Sequence, residues 1–310
     1  MKINWPTINL KIGLRVLIGL IIFLILLFLV NFFISLNRKA SKEIFFTVKQ
    51  GQGTREISKS LKQEGLIASP FYFNCYIYLN GWTLKNGVYK IGPQMKTKEV
   101  AEMISEGKVA ANQITIIEGW RVSEIDEYLA GKKIIVKGEL LKIASVDEGY
   151  LFPDTYQLPL TVNASDIRQI MVENYKTKIK GLNVTDDNLI LASIVEREAN
   201  RDIDRAKIAG VYLNRLKIGM KLDADPTIQY AKGSWKPITR NDYANFKSPY
   251  NTYLNKGLPP TPICNPGLKS IEAVINPEKH DYLFFFTAKD GKTIFSKTLE
   301  EHNLNLQLYQ

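Results

Sequence analysis

Two glutamates two positions apart in the run LASIVEREAN, Glu196 and Glu198, are the side chains best placed to do chemistry. Other chemistries lack parts. The chain has two histidines, His280 and His302, and neither a GxSxG nor an HExxH pattern, which removes hydrolase triads and zinc proteases. Cys75 and Cys264 have no ligand spacing, and no phosphate-cradling glycine loop occurs. Whatever reaction is run rests on carboxylates.

The stretch VTDDNLILASIVEREAN predicts a helix capped by Thr185, with Asp186 and Asp187 in its first turn. At about 100° per residue the two glutamates point about 200° apart, so they cannot both face one cleft. Glu196 falls on a polar stripe with Ser193, Arg197 and Asn200, and reads as a solvated or bridging group, or as a second, supporting carboxylate. Glu198 falls between Leu191 and Ile194, where an apolar setting raises a carboxyl's pKa and keeps it protonated near neutral pH. Such an acid can protonate a leaving-group oxygen, as glycosidic cleavage requires. The plainer alternative is a buried charge paired with Arg201 or Arg205.

The elements needed to position these groups follow in order. DIDRAKIAGVYLNRLKIG reads as a second helix stopped by Gly219, and Asp225 with Pro226 as the cap and first position of a short helix through Tyr230. Five prolines between Ser248 and Lys269 predict a long shaped loop. YLFFFTAKDGKTIFS predicts a hairpin on Asp290 and Gly291, followed by a last helix containing His302, which is expected to be hydrogen-bonded. Upstream, runs from Phe45, Gly87 and Ile114 share one rhythm of extended stretch, glycine turn and amphipathic helix, with starts expected at Thr54, Thr97 and Ser123, the last in a capping box with Asp126. The fold class is α+β.

The 310 residues hold 41 Lys and Arg against 31 Asp and Glu, a net charge of +10. Six of those basic residues, Lys2, Lys11, Arg15, Arg38, Lys39 and Lys42, precede the first acidic one, Glu43, so the remainder carries 35 against 31. The excess therefore describes the flanks of an apolar run, residues 16–36, rather than a nucleic-acid surface. That run is long enough to cross a hydrocarbon core of about 30 Å, and it reads as an uncleaved signal anchor after a cytoplasmic segment, residues 1–15. The two cysteines read as small apolar side chains, with a pairing left open.

The chain resembles the endolytic murein transglycosylases of the MltG (YceG-like) family. The resemblance is carried by EGYLFPDTY, LASIVEREA, YLNRLKIGMKLDADPTIQY and SPYNTYLNKGLPPTPICNPG, with GVYKIGPQM and the N-terminal anchor. It implies a small LysM-like subdomain over residues 43–112, a catalytic domain over residues 113–310, and a catalytic glutamate at Glu198. The implied reaction has the C6 hydroxyl of N-acetylmuramic acid close on its own C1, leaving a 1,6-anhydro end, so that one glutamate serves as acid and then base. It needs no metal and no organic cofactor. Candidates for the sugar groove are Phe152, Asp154 and Tyr156, then Asn214, Asp225, Gln229 and Tyr230, then Tyr250, Asn251, Thr252 and Tyr253, since aromatic faces pack on sugar rings and amides or hydroxyls read their substituents. Ala199 departs from the small polar residue of some relatives. The resemblance also implies peptidoglycan synthases as partners and a single-pass place in the cell (inner) membrane, with the catalytic part outside the cytoplasm. Two rivals remain: a hydrolytic muramidase using Glu196 or Asp225 to support a water, and a non-catalytic peptidoglycan-binding scaffold. A folate-pathway lyase is disfavoured by the anchor.

Overall fold

The computed structural model describes residues 10–33 and 42–309, and within the first helix the side chains of residues 13–27. That helix, α1, runs Leu10–Phe33, and its leucines and isoleucines from Leu14 to Leu27 are exposed. Among the described residues no helix is long and apolar enough to cross a membrane. The span expected over residues 16–36 is thus not supported by the described part, and residues 34–36 lie outside it.

The chain divides into two compact units, residues 1–112 with 159–161, and residues 113–158 with 162–310. In the first, β1 (Ile44–Val48) pairs antiparallel with β2 (Gly87–Ile91). The helices α2 (Thr54–Gln63), α3 (Pro70–Leu79) and α4 (Thr97–Glu106) belong to the same unit. Its core follows from period: alternate residues of the strands, Phe46 and Val48 with Tyr89 and Ile91, meet Ile57 and Leu61 of α2 and Val100 and Ile104 of α4. Helices α2 and α4 start at Thr54 and Thr97 as expected. Gly53 and Lys96 hold the cap positions, and the Lys96 amide donates to the Glu99 carboxylate at 2.8 Å.

The second unit has two cores. One gathers Ile114 and Ile116, the buried face of α5 (Val122–Gly131), Leu140 and Ala144 of α6 (Glu139–Ala144), and Ile167 and Met171 of α7 (Ala164–Lys178). The strand β3 (Ala111–Thr115) pairs with β4 (Thr155–Pro159). Helix α5 begins at Val122, one residue before the expected Ser123, because the Glu124 carboxylate takes the Arg121 amide. Asp126 is released from the expected capping box and is buried, accepting the amides of Gly138, Leu140 and Leu141.

The other core surrounds α8 (Asp186–Glu198), whose first turn is capped by Thr185 as its sequence dictates, with the Asn188 amide on the threonine hydroxyl at 3.2 Å. Against α8 pack α9 (Arg205–Lys217) and α12 (Leu268–Ile275), through Ile194, Ile208, Tyr212, Ile271 and Val274. Two short helices, α10 (Asp225–Ala231) and α11 (Arg240–Asn245), lie between α9 and α12 in the chain. The hairpin of β5 (Phe284–Thr287) and β6 (Thr293–Ser296) turns through Gly291, and α13 (Leu299–Tyr309) follows. His302 sits between the rings of Phe284 and Phe286 with its Nδ1 unpartnered, so the hydrogen bond expected for it is not made.

Candidate functional site

Glu198 is the last residue of α8, at the end where the helix dipole disfavours a negative charge. Its Oε1 accepts the Tyr212 hydroxyl at 3.1 Å. Tyr212 belongs to α9, is buried, and is braced edge-on by Phe285 at 5.7 Å. Burial raises the Glu198 pKa to about 7, and the Asp225 charge adds to the rise while the Tyr212 hydrogen bond and the Arg215 guanidinium oppose it. The carboxyl therefore titrates far closer to neutral pH than an ordinary glutamate does. It can give a proton and take one back.

Asp225 is the first residue of α10 and not its cap, a place held by Ala224. Its carboxylate is free to accept the Tyr253 hydroxyl at 2.6 Å, and Tyr243 packs on Tyr253 with ring centroids 4.5 Å apart and planes tilted by 60°. Arg215 is fixed by carbonyls, donating to Leu283 O at 2.6 Å and Leu222 O at 2.5 Å. The structure thus gathers Glu198, Asp225 and Tyr253 from the expected set, and adds Tyr212 and Arg215. Both additions lie in the YLNRLK run. They sit three residues apart on one helical face, and periodicity alone cannot distinguish that face from plain core.

Glu196 points the other way. Its side chain is 6 % exposed, pairs with Arg205 at 3.1 Å and accepts the Gly267 amide at 2.9 Å. The polar stripe read from sequence is covered by the proline-rich loop: the Ile263 amide donates to Ser193 Oγ at 2.9 Å. Glu196 is consequently a buried structural partner rather than a solvated group. Arg205 is spent on it and Arg201 on Asp204, so the alternative of a Glu198 ion pair with either arginine is not realised.

Several other candidates are occupied by structure. Phe152 is core, and its carbonyl accepts the Tyr156 hydroxyl. Asp154 binds Lys178 and Asn174. The Asn214 amide ties the carbonyls of His280 and Tyr282, and that of Gln229 ties Trp235 and Lys236. Asn251 is fully buried, its amide on the Phe246 carbonyl at 2.9 Å, and Thr252 caps the Ala224 amide at 3.0 Å. The loop thereby aims Tyr253 at Asp225. Tyr230 and Tyr250 pack on each other at 5.0 Å and border a separate cavity with Glu148.

Sequence reading passed over Asn265 entirely. Its carbonyl oxygen accepts the Gly149 and Leu151 amides at 3.0 and 2.9 Å, and its amide donates to Trp120 O and Glu148 Oε1 at 2.9 and 3.1 Å. This residue fastens the proline-rich loop to the segment that opens EGYLFPDTY. Cys264 beside it is buried, Cys75 is half-buried, and both are free. Among the described residues no cluster of His, Cys, Asp or Glu is arranged to hold a metal ion.

The endolytic murein transglycosylase of Bacillus subtilis is 33% identical to this chain over 312 residues, covering 88% of this chain and 86% of that protein. That of Streptococcus pneumoniae strain D39 is 28% identical over 327 residues, and the match spans 59% of its length. The crystal structure of a yceG-like protein from Listeria monocytogenes superposes with a TM-score of 0.55 at 34% identity, over 86% of this chain and 100% of that one. Residues 46–308 match the YceG-like family, and the chain belongs to it.

Proposed function

We propose that this protein is an endolytic murein transglycosylase, cleaving the β-1,4 bond between N-acetylmuramic acid and N-acetylglucosamine within glycan strands. The observation that carries the reading is the Glu198 carboxyl, raised to about 7 by burial and held by the Tyr212 hydroxyl. Relatives that bear this name match most of the chain. Protonated Glu198 gives its proton to the glycosidic oxygen as the C1–O bond breaks. Positive charge then develops at C1 of the muramic acid, where the nearby Asp225 carboxylate favours it. The same sugar's C6 hydroxyl attacks C1, and ionised Glu198 takes the hydroxyl proton, which restores the acid and leaves a 1,6-anhydro ring. Holding the sugar so that C6–OH reaches C1 replaces an external nucleophile. Tyr253 and Tyr243 are assigned to that sugar's binding face.

Residues 16–36 are assigned as a membrane anchor, with residues 1–15 cytoplasmic and the part that follows the anchor extracytoplasmic, on the length of the apolar run, its basic flanks and the exposed apolar side chains of α1. The unit containing β1 and β2 is assigned as the LysM-like subdomain. Peptidoglycan synthases are the assigned partners, since a membrane-held enzyme acts where strands emerge.

Mass spectrometry of digested uncrosslinked glycan tests the reading. Products ending in 1,6-anhydro-muramic acid are expected, and Glu198→Gln abolishes them. The nearby Asp225 carboxylate specifically favours one second reading, a muramidase in which it supports a water. Reducing ends without anhydro products would establish that reading instead.

A further inference from the structure

Glu148 has no part in the reaction above, yet it is a buried carboxyl at the wall of a cavity of about 460 Å³ in the second unit. Arg121, Ser123, Ser145, Tyr230 and Tyr250 line the same cavity. We propose that this cavity is a second saccharide subsite, taking one N-acetylhexosamine unit of the strand whose cleavage is assigned to Glu198, on which reading the proposal rests.

The chemistry of the walls selects the ligand class. Tyr230 and Tyr250, with centroids 5.0 Å apart and planes tilted by 52°, offer an aromatic surface to the C–H face of a sugar ring. The Arg121 charge is already answered by Glu124 at 3.3 Å, so the cavity holds no surplus positive charge for a phosphate or a peptide carboxylate. A neutral, hydroxyl-rich ligand fits. Glu148 Oε1 is taken by the Val122 amide at 3.0 Å and by Asn265, which fixes the carboxyl's orientation toward its neighbours. Burial raises its pKa to about 8, so near neutral pH it is a neutral group that both gives and accepts hydrogen bonds. The volume lies in the range of small-molecule sites, roughly 300–1,000 Å³. Position supports the same assignment. Helix α10 carries Asp225 at its start, where the charge acts on Glu198, and Tyr230 five residues on, about 7.5 Å along the axis.

The test uses the full chain in detergent and two readouts: equilibrium binding of chitotetraose, and kcat and KM for uncrosslinked glycan. Ser145 is exposed on the cavity rim, so Ser145→Trp obstructs the space without touching a core. It is expected to weaken chitotetraose binding and raise KM by about fivefold or more, with kcat within about twofold. Unchanged binding and KM in the folded variant overturn the proposal. Glu148→Gln is the second arm. Wild-type binding is expected to weaken above about pH 8, where a ligand would cover an ionised carboxylate, and the variant is expected to lose that dependence. The same pH dependence in both proteins also overturns it. Chitotetraose binding that responds to both variants, in a protein that releases no anhydro products, would leave the subsite standing and sink the transglycosylase reading. Anhydro products with no response to either variant would do the reverse.

Discussion

The Tyr212 hydroxyl donates to Glu198 Oε1 at 3.1 Å, joining the end of α8 to the middle of α9 through a buried phenol. A donor on the carboxylate favours its ionised form, against the larger effect of burial. Tyr212 thus moderates the acid's strength and occupies one of its two oxygens. Tyr212→Phe is expected to raise the Glu198 pKa further. Because the protonated form starts the reaction, the alkaline limb of the kcat/KM profile should move to higher pH, and an unmoved limb would contradict the assignment.

Replacing Glu198 by Gln keeps its shape and removes the proton. Glycan cleavage should fall by about 10²-fold or more. The fold should survive, since the hydrogen bond that the carboxyl makes among the described residues is the one from Tyr212, and an amide oxygen can accept it. Turnover assays beside thermal unfolding separate the two effects.

Glu196→Ala should do the opposite, acting on stability. It leaves the Gly267 amide without its acceptor, and Arg205, 10 % exposed in its side chain, with Asp202 and Ser270 as its remaining partners. Leaving a buried donor unsatisfied costs about 1–3 kcal/mol. Urea unfolding should show the loss, and a near-neutral result would mean that the pair is open to water.

Asn265→Ala removes two acceptor contacts and two donor contacts from buried backbone and Glu148. Each polar group left unsatisfied costs about 1–3 kcal/mol. The variant should unfold at markedly lower denaturant concentration, and cleavage should drop with the folded fraction.

Stability should also depend on pH through the two raised carboxyls. Folded-state values of about 7 for Glu198 and about 8 for Glu148 lie above the ordinary 4.5, so over that interval the folded protein binds more protons than the unfolded chain. Stability is then fullest below about pH 4.5 for these two groups, falls as pH rises toward 8, and levels above it. Glu148→Gln should flatten the upper part of that fall, which thermal unfolding at pH 5 and pH 8.5 would reveal.

Helix α8 and its Thr185 cap were legible in the sequence because a cap and a 3.6-residue period are local properties. So were the opposed directions of Glu196 and Glu198, since 100° per residue allows nothing else. The exposure of each direction was not legible. The face carrying Ser193 and Glu196 looks polar by composition, yet the loop around Ile263 and Gly267 covers it, and that contact spans about 70 residues of chain. Helix α12 and the Asn265 clamp were missed for the same reason: Leu268–Ile275 follows a proline-rich run whose local signal is irregular, and its helix is held by packing on α8 and α9. Asp225 shows the division at one residue. Composition offered a cap, and the fold moved the cap to Ala224 and set the carboxylate against Tyr253, 28 positions away. The sequence by itself determined the family motifs, the capped helix α8 and the opposed directions of its two glutamates. Tertiary structure alone decided which glutamate is buried in an ion pair and which is left with a raised pKa, because desolvation and long-range partners, not local periodicity, set a carboxyl's charge.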